Sequence, residues 1–146
     1  MRRLENQLVY NMFIINCKNY NEIAGEKINK LAMIEEKISK KHKIQIAIAP
    51  PHHQLVSIKK SKLLVFAQHL DNAKVGSTTG YMIPEIVKKS KIDGALINHS
   101  EHRISPNEIK NLVKRLKKLK MKTVVCVKYV RESEKYAKLN PTYIAI

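Results

Sequence analysis

The spacing of the apolar runs constrains this sequence more than any other feature. Six short runs, at 12–15, 44–49, 63–67, 95–97, 123–127 and 143–146, are separated by stretches far longer than a hairpin turn. A run that is apolar on both faces predicts a strand covered on both sides. Consecutive strands joined by long connections must run parallel, because parallel pairing needs a crossover of about a dozen residues or more. The chain therefore reads as successive right-handed βαβ units in a single sheet.

The connections support this. Over 22–40, Ile23, Ala24, Ile28, Leu31, Ala32, Ile34 and Ile38 recur at helical spacing among Lys and Glu. Pro50 and Pro51 stop the second strand, and 52–59 can form one or two helical turns. A glycine-bearing loop at 71–80 leads to a short helix around 84–89. The clearest helix is 105–120, with Ile109, Leu112, Val113, Leu116 and Leu119 on one face. Ser105 stands at its N-cap, Pro106 at its first position and Glu108 at its third. A further helix at 131–139 is broken by Asn140 and Pro141. The class is α/β. A doubly wound sheet and a (β/α)8 barrel both begin this way, and periodicity alone does not separate them. No G-x-G-x-x-G or Walker sequence follows a strand, which argues against nucleotide binding.

A chain of 146 residues suits one domain with a sizeable core, since about 70% of the extended surface is buried at this length. The first strand starts at Met12, so 12–146 reads as the domain and 1–11 as an upstream extension, with Met12 the working start. Aromatics are only 5% and Trp is absent, which leaves Ile, Leu, Val and Ala to build the core. The net charge of +16 fits either a phosphate-binding surface or lysines spread over solvent faces. Spread lysines fit better, because Lys recurs at every helix and no Arg-rich, aromatic-interleaved patch stands out. Cys17 and Cys126 have no C-x-x-C partner, and a reducing cytoplasm is the expected setting. The opening residues lack the apolar core of a signal peptide, and no run approaches a membrane span.

Chemistry concentrates at strand ends. The fourth run, A-L-I, gives way to Asn98, His99, Ser100 and Glu101, and the first to Asn16, Cys17 and Lys18. α/β proteins place their sites at the carboxyl ends of strands. His52, His53, His69, His99 and His102 all fall in loops after strands two to four. No H-x-H leaves the first strand and no carboxylate is suitably spaced, so no metal is expected.

F-I-I-N-C-K-N-Y (13–20), A-I-A-P-P (47–51), F-A-Q-H (66–69), G-S-T-T-G (76–80), I-N-H-S-E-H-R (97–103) and V-V-C-V (124–127) follow one another in a specific order. In that order and spacing the chain resembles the triosephosphate isomerase family, most of all its compact archaeal branch, over 12–146. N-x-K after strand one combined with H-S-E-x-R after strand four carries the specificity. The resemblance implies an incomplete (β/α)8 TIM barrel of about five βα units plus a sixth strand. It implies interconversion of dihydroxyacetone phosphate and glyceraldehyde 3-phosphate through an enediolate, in glycolysis and gluconeogenesis, with no cofactor. Lys18 and Asn16 would meet the phosphorylated triose, and His99 would polarise its carbonyl. In triosephosphate isomerase itself, the established case, this histidine is a neutral imidazole whose pKa a helix N-terminus lowers, and the helix capped at Ser105 makes the same arrangement plausible here. Glu101, supported by Ser100, would hold Lys18. Arg103 reads as a partner for Glu101 at the rim, and the cysteines as inert core thiols. The loop 71–80 matches the segment that family members insert into a neighbouring subunit, which implies a homodimer or homotetramer.

The departures are equally informative. Asn98 stands where many members have glycine, and Lys128 and Tyr129 replace a common Gly-Glu. The family's general base is a glutamate directly after strand six, followed by a lid, two further βα units and the phosphate loops. The sequence ends at Ile146, so that base is absent from it and the chain is expected to be nearly inactive alone. A truncated gene model, a split gene or a decayed remnant would each read this way. The alternative from a different class is a non-catalytic basic module that binds nucleic acid on a degenerate barrel scaffold.

Overall fold

The structure, a computed structural model, describes residues 12–58 and 61–146. The proposed extension at 1–11 and the Lys59 end of the expected turn at 52–59 lie outside the described residues. The elements run β1 (Met12–Asn16), α1 (Lys27–His42), β2 (Gln45–Ala49), β3 (Leu64–Ala67), α2 (Pro84–Lys89), β4 (Gly94–Ile97), α3 (Pro106–Lys118), β5 (Lys122–Cys126), α4 (Val130–Ala137) and β6 (Tyr143–Ala145). Single 3-10 turns occupy Asn21–Ile23 and His52–Gln54. The six strands form one sheet in the order β1-β2-β3-β4-β5-β6, and every pairing is parallel. The sheet is an open, six-stranded fragment like that of a TIM barrel.

Alternating strand residues feed two separate apolar clusters. On one face Ala47, Ala49, Phe66, Leu96 and Val124 pack together with Met12, Ile14, Leu64 and Tyr143, and no helix contributes. This is the barrel's inner face. On the other, Ile46, Ile48, Val65, Ala67, Ala95, Ile97 and Val125 meet Ile28, Ala32, Val87, Ile109, Leu112, Leu116 and Tyr136 of the helix layer. Both faces being covered explains why the strand runs read as uniformly apolar. Gly94 is required inside, because a Cβ there would lie 2.5 Å from the Lys122 carbonyl and 2.9 Å from the Phe66 ring.

α1 departs from expectation at both ends and in its phase. Gly25 adopts φ +61° and separates the Asn21–Ile23 turn from the helix proper, so the helix starts at Lys27 rather than Glu22. It runs on to His42, where Lys43 turns left-handed at φ 53° and donates its N–H to the Ser39 carbonyl. Its buried stripe is Ile28, Ala32 and Glu35, whereas Ile34 and Ile38 are 54% and 42% exposed. The entry at Gly25 sets this rotation, and the helical spacing of the apolar residues had counted both isoleucines with the rest. Left-handed residues also follow the other helices, at Lys91, Lys120 and Asn140, and each turns the chain back into the next strand.

α3 begins as its capping box dictates. The Glu108 N–H donates to Ser105 Oγ (3.3 Å) and the Ser105 N–H to Glu108 Oε2 (2.9 Å). Arg115 on the same helix grips Glu85 of α2 through Nη2 (2.6 Å) and Nε (3.2 Å), and also donates to Asn72 Oδ1 and the Ala73 carbonyl. The root of the loop at 71–80 is thereby fixed, while residues 74–80 are exposed. Among the described residues, no helix is long and apolar enough to cross a membrane.

Candidate active site

At the carboxyl ends of β1 to β4 the loops enclose a cleft of about 680 Å³ lined by Asn16, Lys18, Gln68, His99 and Glu101, with His52, His53, His69 and His102 on its flank. Asn16 is the last residue of β1, and its Oδ1 accepts the Lys18 N–H (3.0 Å) in a local turn. That turn holds Lys18 at φ 51°. Gln68 then donates Nε2 to the carbonyls of both Lys18 and Ala49 (3.1 Å each), fastening the loop after β1 to the ends of β2 and β3.

Lys18 and Glu101 lie 83 residues apart in sequence, yet Lys18 Nζ reaches Glu101 Oε1 at 2.7 Å. The hydrogen bond with Glu101, and then its charge, raise the Lys18 pKa, and the same bond holds the Glu101 carboxyl below its usual range. The pair is charged at neutral pH.

His99 is presented by Asn98, which follows β4 at φ 62° in the left-handed region that favours glycine or asparagine. The Asn98 side chain ties both sides of this bend, donating to the Cys126 carbonyl (2.9 Å) and accepting the Ile104 N–H (3.2 Å). The Glu101 N–H donates to His99 Nδ1 at 3.2 Å, while Glu101 Oε2 lies 3.5 Å from the same nitrogen. The amide is closer and can only donate, so Nδ1 accepts and the ring proton sits on Nε2. His99 therefore presents Nε2 as its donor. The group that fixes it is the Glu101 amide rather than an amide of the capped helix.

Two residues of this loop sit elsewhere than expected. Arg103 donates Nη1 to the Asn98 carbonyl (3.0 Å) and, at 3.4 Å, to that of Cys126, and makes no ion pair with Glu101. Ser100 is exposed and does not line the cleft.

The flanking histidines are engaged with one another. His69 and His102 stack with ring centroids 3.8 Å apart and planes 14° from parallel. The His69 N–H donates to His52 Nε2 (3.1 Å), and His69 Nε2 faces Asp71 Oδ1 at 3.4 Å. Burial holds the His52 and His69 pKa values below the ordinary histidine value. Among the described residues, no group of three or more His, Cys, Asp or Glu side chains is arranged to hold a metal ion. Burial, with the charge of Glu35 adding to it, pushes the Cys17 thiol up to about 11, and burial also raises Cys126. Neither thiol is poised as a nucleophile.

The family model described as triosephosphate isomerase matches residues 11–143. This chain belongs to the triosephosphate isomerase family. It is 49% identical over 135 residues to the triosephosphate isomerase of Cenarchaeum symbiosum, a match covering 92% of this chain and 61% of that one. With the triosephosphate isomerase of Methanocaldococcus jannaschii it shares 37% identity over 136 residues, covering 92% of this chain and 62% of the relative. The solved triosephosphate isomerase of Bartonella henselae superposes with a TM-score of 0.68 at 17% identity, over 89% of this chain and 56% of its own, and that likeness speaks for the fold. The chain spans about three-fifths of the length of the curated triosephosphate isomerases it matches.

The cleft is notable for its single carboxylate. Glu101 is the one acid lining it among the described residues, and Lys18 occupies that acid. Glu132 accepts the Lys128 and Tyr129 N–H groups at the head of α4, outside the cleft. Gln68 was visible in the sequence only as a letter of the F-A-Q-H motif, and nothing in the pattern announced its bridging role.

Proposed function

We propose that this chain carries the cation-binding and carbonyl-polarising part of a triosephosphate isomerase site, which interconverts dihydroxyacetone phosphate and glyceraldehyde 3-phosphate. The observation that carries this reading is the meeting of Lys18 and His99 on Glu101 at one rim of the sheet. Lys18, held by Asn16 and Glu101, supplies a fixed positive charge for the phosphorylated substrate and the oxyanion that develops on it. His99 donates from Nε2 to the carbonyl oxygen and passes the proton between the two substrate oxygens. By the same reading the protein works in the cytoplasm as a homo-oligomer, with the exposed residues 74–80 reaching a neighbouring subunit.

Proton abstraction from carbon needs a base, which the family provides directly after the sixth strand. Among the described residues Glu101 is the one carboxylate lining the cleft, and it is engaged by Lys18. General base catalysis is worth about 10²- to 10⁴-fold, so residues 1–146 alone should turn over triose phosphate far below a tenth of the rate of the full-length Cenarchaeum symbiosum relative. Adding a separately expressed segment that covers the remainder of that relative should restore turnover. Activity of the 146-residue chain alone within tenfold of the relative would overturn the assignment of the missing base.

A further inference from the structure

We propose that the stacked pair His69 and His102 is a positioning brace for His99, holding the loop after β4 against the loop after β3. The inference rests on the isomerase reading only for the role it gives to His99; the geometry of the brace stands apart from it. The loop that carries His99 and Glu101 is anchored in three directions. Toward β5 it is held by Asn98 and Arg103, whose side chains both reach the Cys126 carbonyl. Toward β1 it is held by the Lys18–Glu101 pair. Toward β3 the contact is the near-parallel stack of His102 on His69.

The two rings are not equivalent. His69 is 6% exposed and locked from several sides: its N–H bonds His52, its Nε2 faces Asp71, and Asp71 in turn accepts the Met82 N–H at 2.6 Å. His102 is exposed and contributes only its ring face and its backbone. That backbone closes the turn, since the His102 N–H donates to the His99 carbonyl at 2.8 Å. The same turn sets the Glu101 N–H against His99 Nδ1, which keeps the ring proton on Nε2. A fixed ring at His69 thus sets the position of His102, the turn, and through it the tautomer of His99. An aromatic face at residue 102 is what the brace requires.

The test compares the wild-type chain with His102→Ala and His102→Phe by long-range proton–nitrogen correlation spectra of the imidazole rings. In the wild type, and in His102→Phe, His99 should show one sharp signature with Nε2 protonated and Nδ1 accepting. In His102→Ala that signature should broaden or average between tautomers. A His99 signature in His102→Ala unchanged from wild type would overturn the brace, as would His102→Phe behaving like His102→Ala. If the amide spectrum shows that His102→Ala has lost its fold, His102→Gln, which keeps bulk without an aromatic face, is read in its place with the same outcomes. The readout is the state of one ring rather than turnover. Failure of the isomerase reading, scored by the complementation assay, is therefore distinguishable from failure of the brace.

Discussion

Two glutamates in different parts of the molecule are treated in opposite ways. Glu101, on the open rim, is exposed, bonded to Lys18, and held below the ordinary carboxylate range. Glu35, under α1, is 3% exposed, and neither carboxylate oxygen has a hydrogen-bond partner. Burial pushes its pKa up to about 7. A carboxylate at the rim keeps its charge because solvent and a cation are at hand, whereas one between helix and sheet gives up its charge more readily than it gives up its proton. The rim is therefore where this fold can keep a charged pair facing the cleft, and the buried space beneath α1 is where an unpartnered charge costs stability.

This contrast can be broken or sharpened by substitution. The largest effect belongs to the rim: in the complemented enzyme, His99→Gln should lower turnover by about 10²- to 10⁴-fold, and Lys18→Met should also fall sharply. Both should leave the thermal midpoint nearly unchanged, because the half-buried groups removed line a cleft and are not part of the apolar core. A large drop in midpoint with turnover preserved would reverse the roles assigned to the two regions. Glu35→Met comes next and should stabilise the chain. The folded-state pKa lies above the ordinary 4.5, so the folded state binds the proton more tightly than the unfolded chain. Wild-type stability then falls as pH rises from 4.5 to about 7, and the full cost persists above that. At roughly 1.4 kcal/mol per pH unit this is about 3 kcal/mol, read as the pH-dependent gap between wild-type and Glu35→Met urea midpoints. A gap that stays constant from pH 4 to pH 8 would show that Glu35 is not titrating in the core. The smallest effect is Ser105→Ala, which removes the α3 cap and should cost about 1 kcal/mol. Calorimetry reads it, and a loss under a few tenths of a kcal/mol would mean that Glu108 and water cap the helix unaided.

Much of this architecture was legible in the letters, and what escaped has identifiable causes. The strand runs survive as strands because both sheet faces are covered, so apolarity alone marked them. Ser105, Pro106 and Glu108 announced α3 because capping is local chemistry. The phase of α1 was not legible. Its apolar residues outnumber what one face can hold, and the turn at Gly25 decides which of them turn inward, so Ile34 and Ile38 face solvent while Glu35 is buried. At the site, Lys18, His99 and Glu101 could be named from motif spacing, since each follows a strand end. Gln68 and the His69–His102 stack could not, because they depend on which loops become neighbours. Asn98 looked like a departure from glycine, and its φ of 62° shows why asparagine serves in the same place.

The strict succession of strands has a consequence for how the molecule is made. Each strand pairs with the one synthesised just before it, from Met12 against Gln45 to Val124 against Tyr143. A nascent chain leaving the ribosome can add each new strand to an edge that already exists. Parallel sheets are ordinarily slow to form because their contacts are distant in sequence. Here synthesis itself supplies the order of assembly.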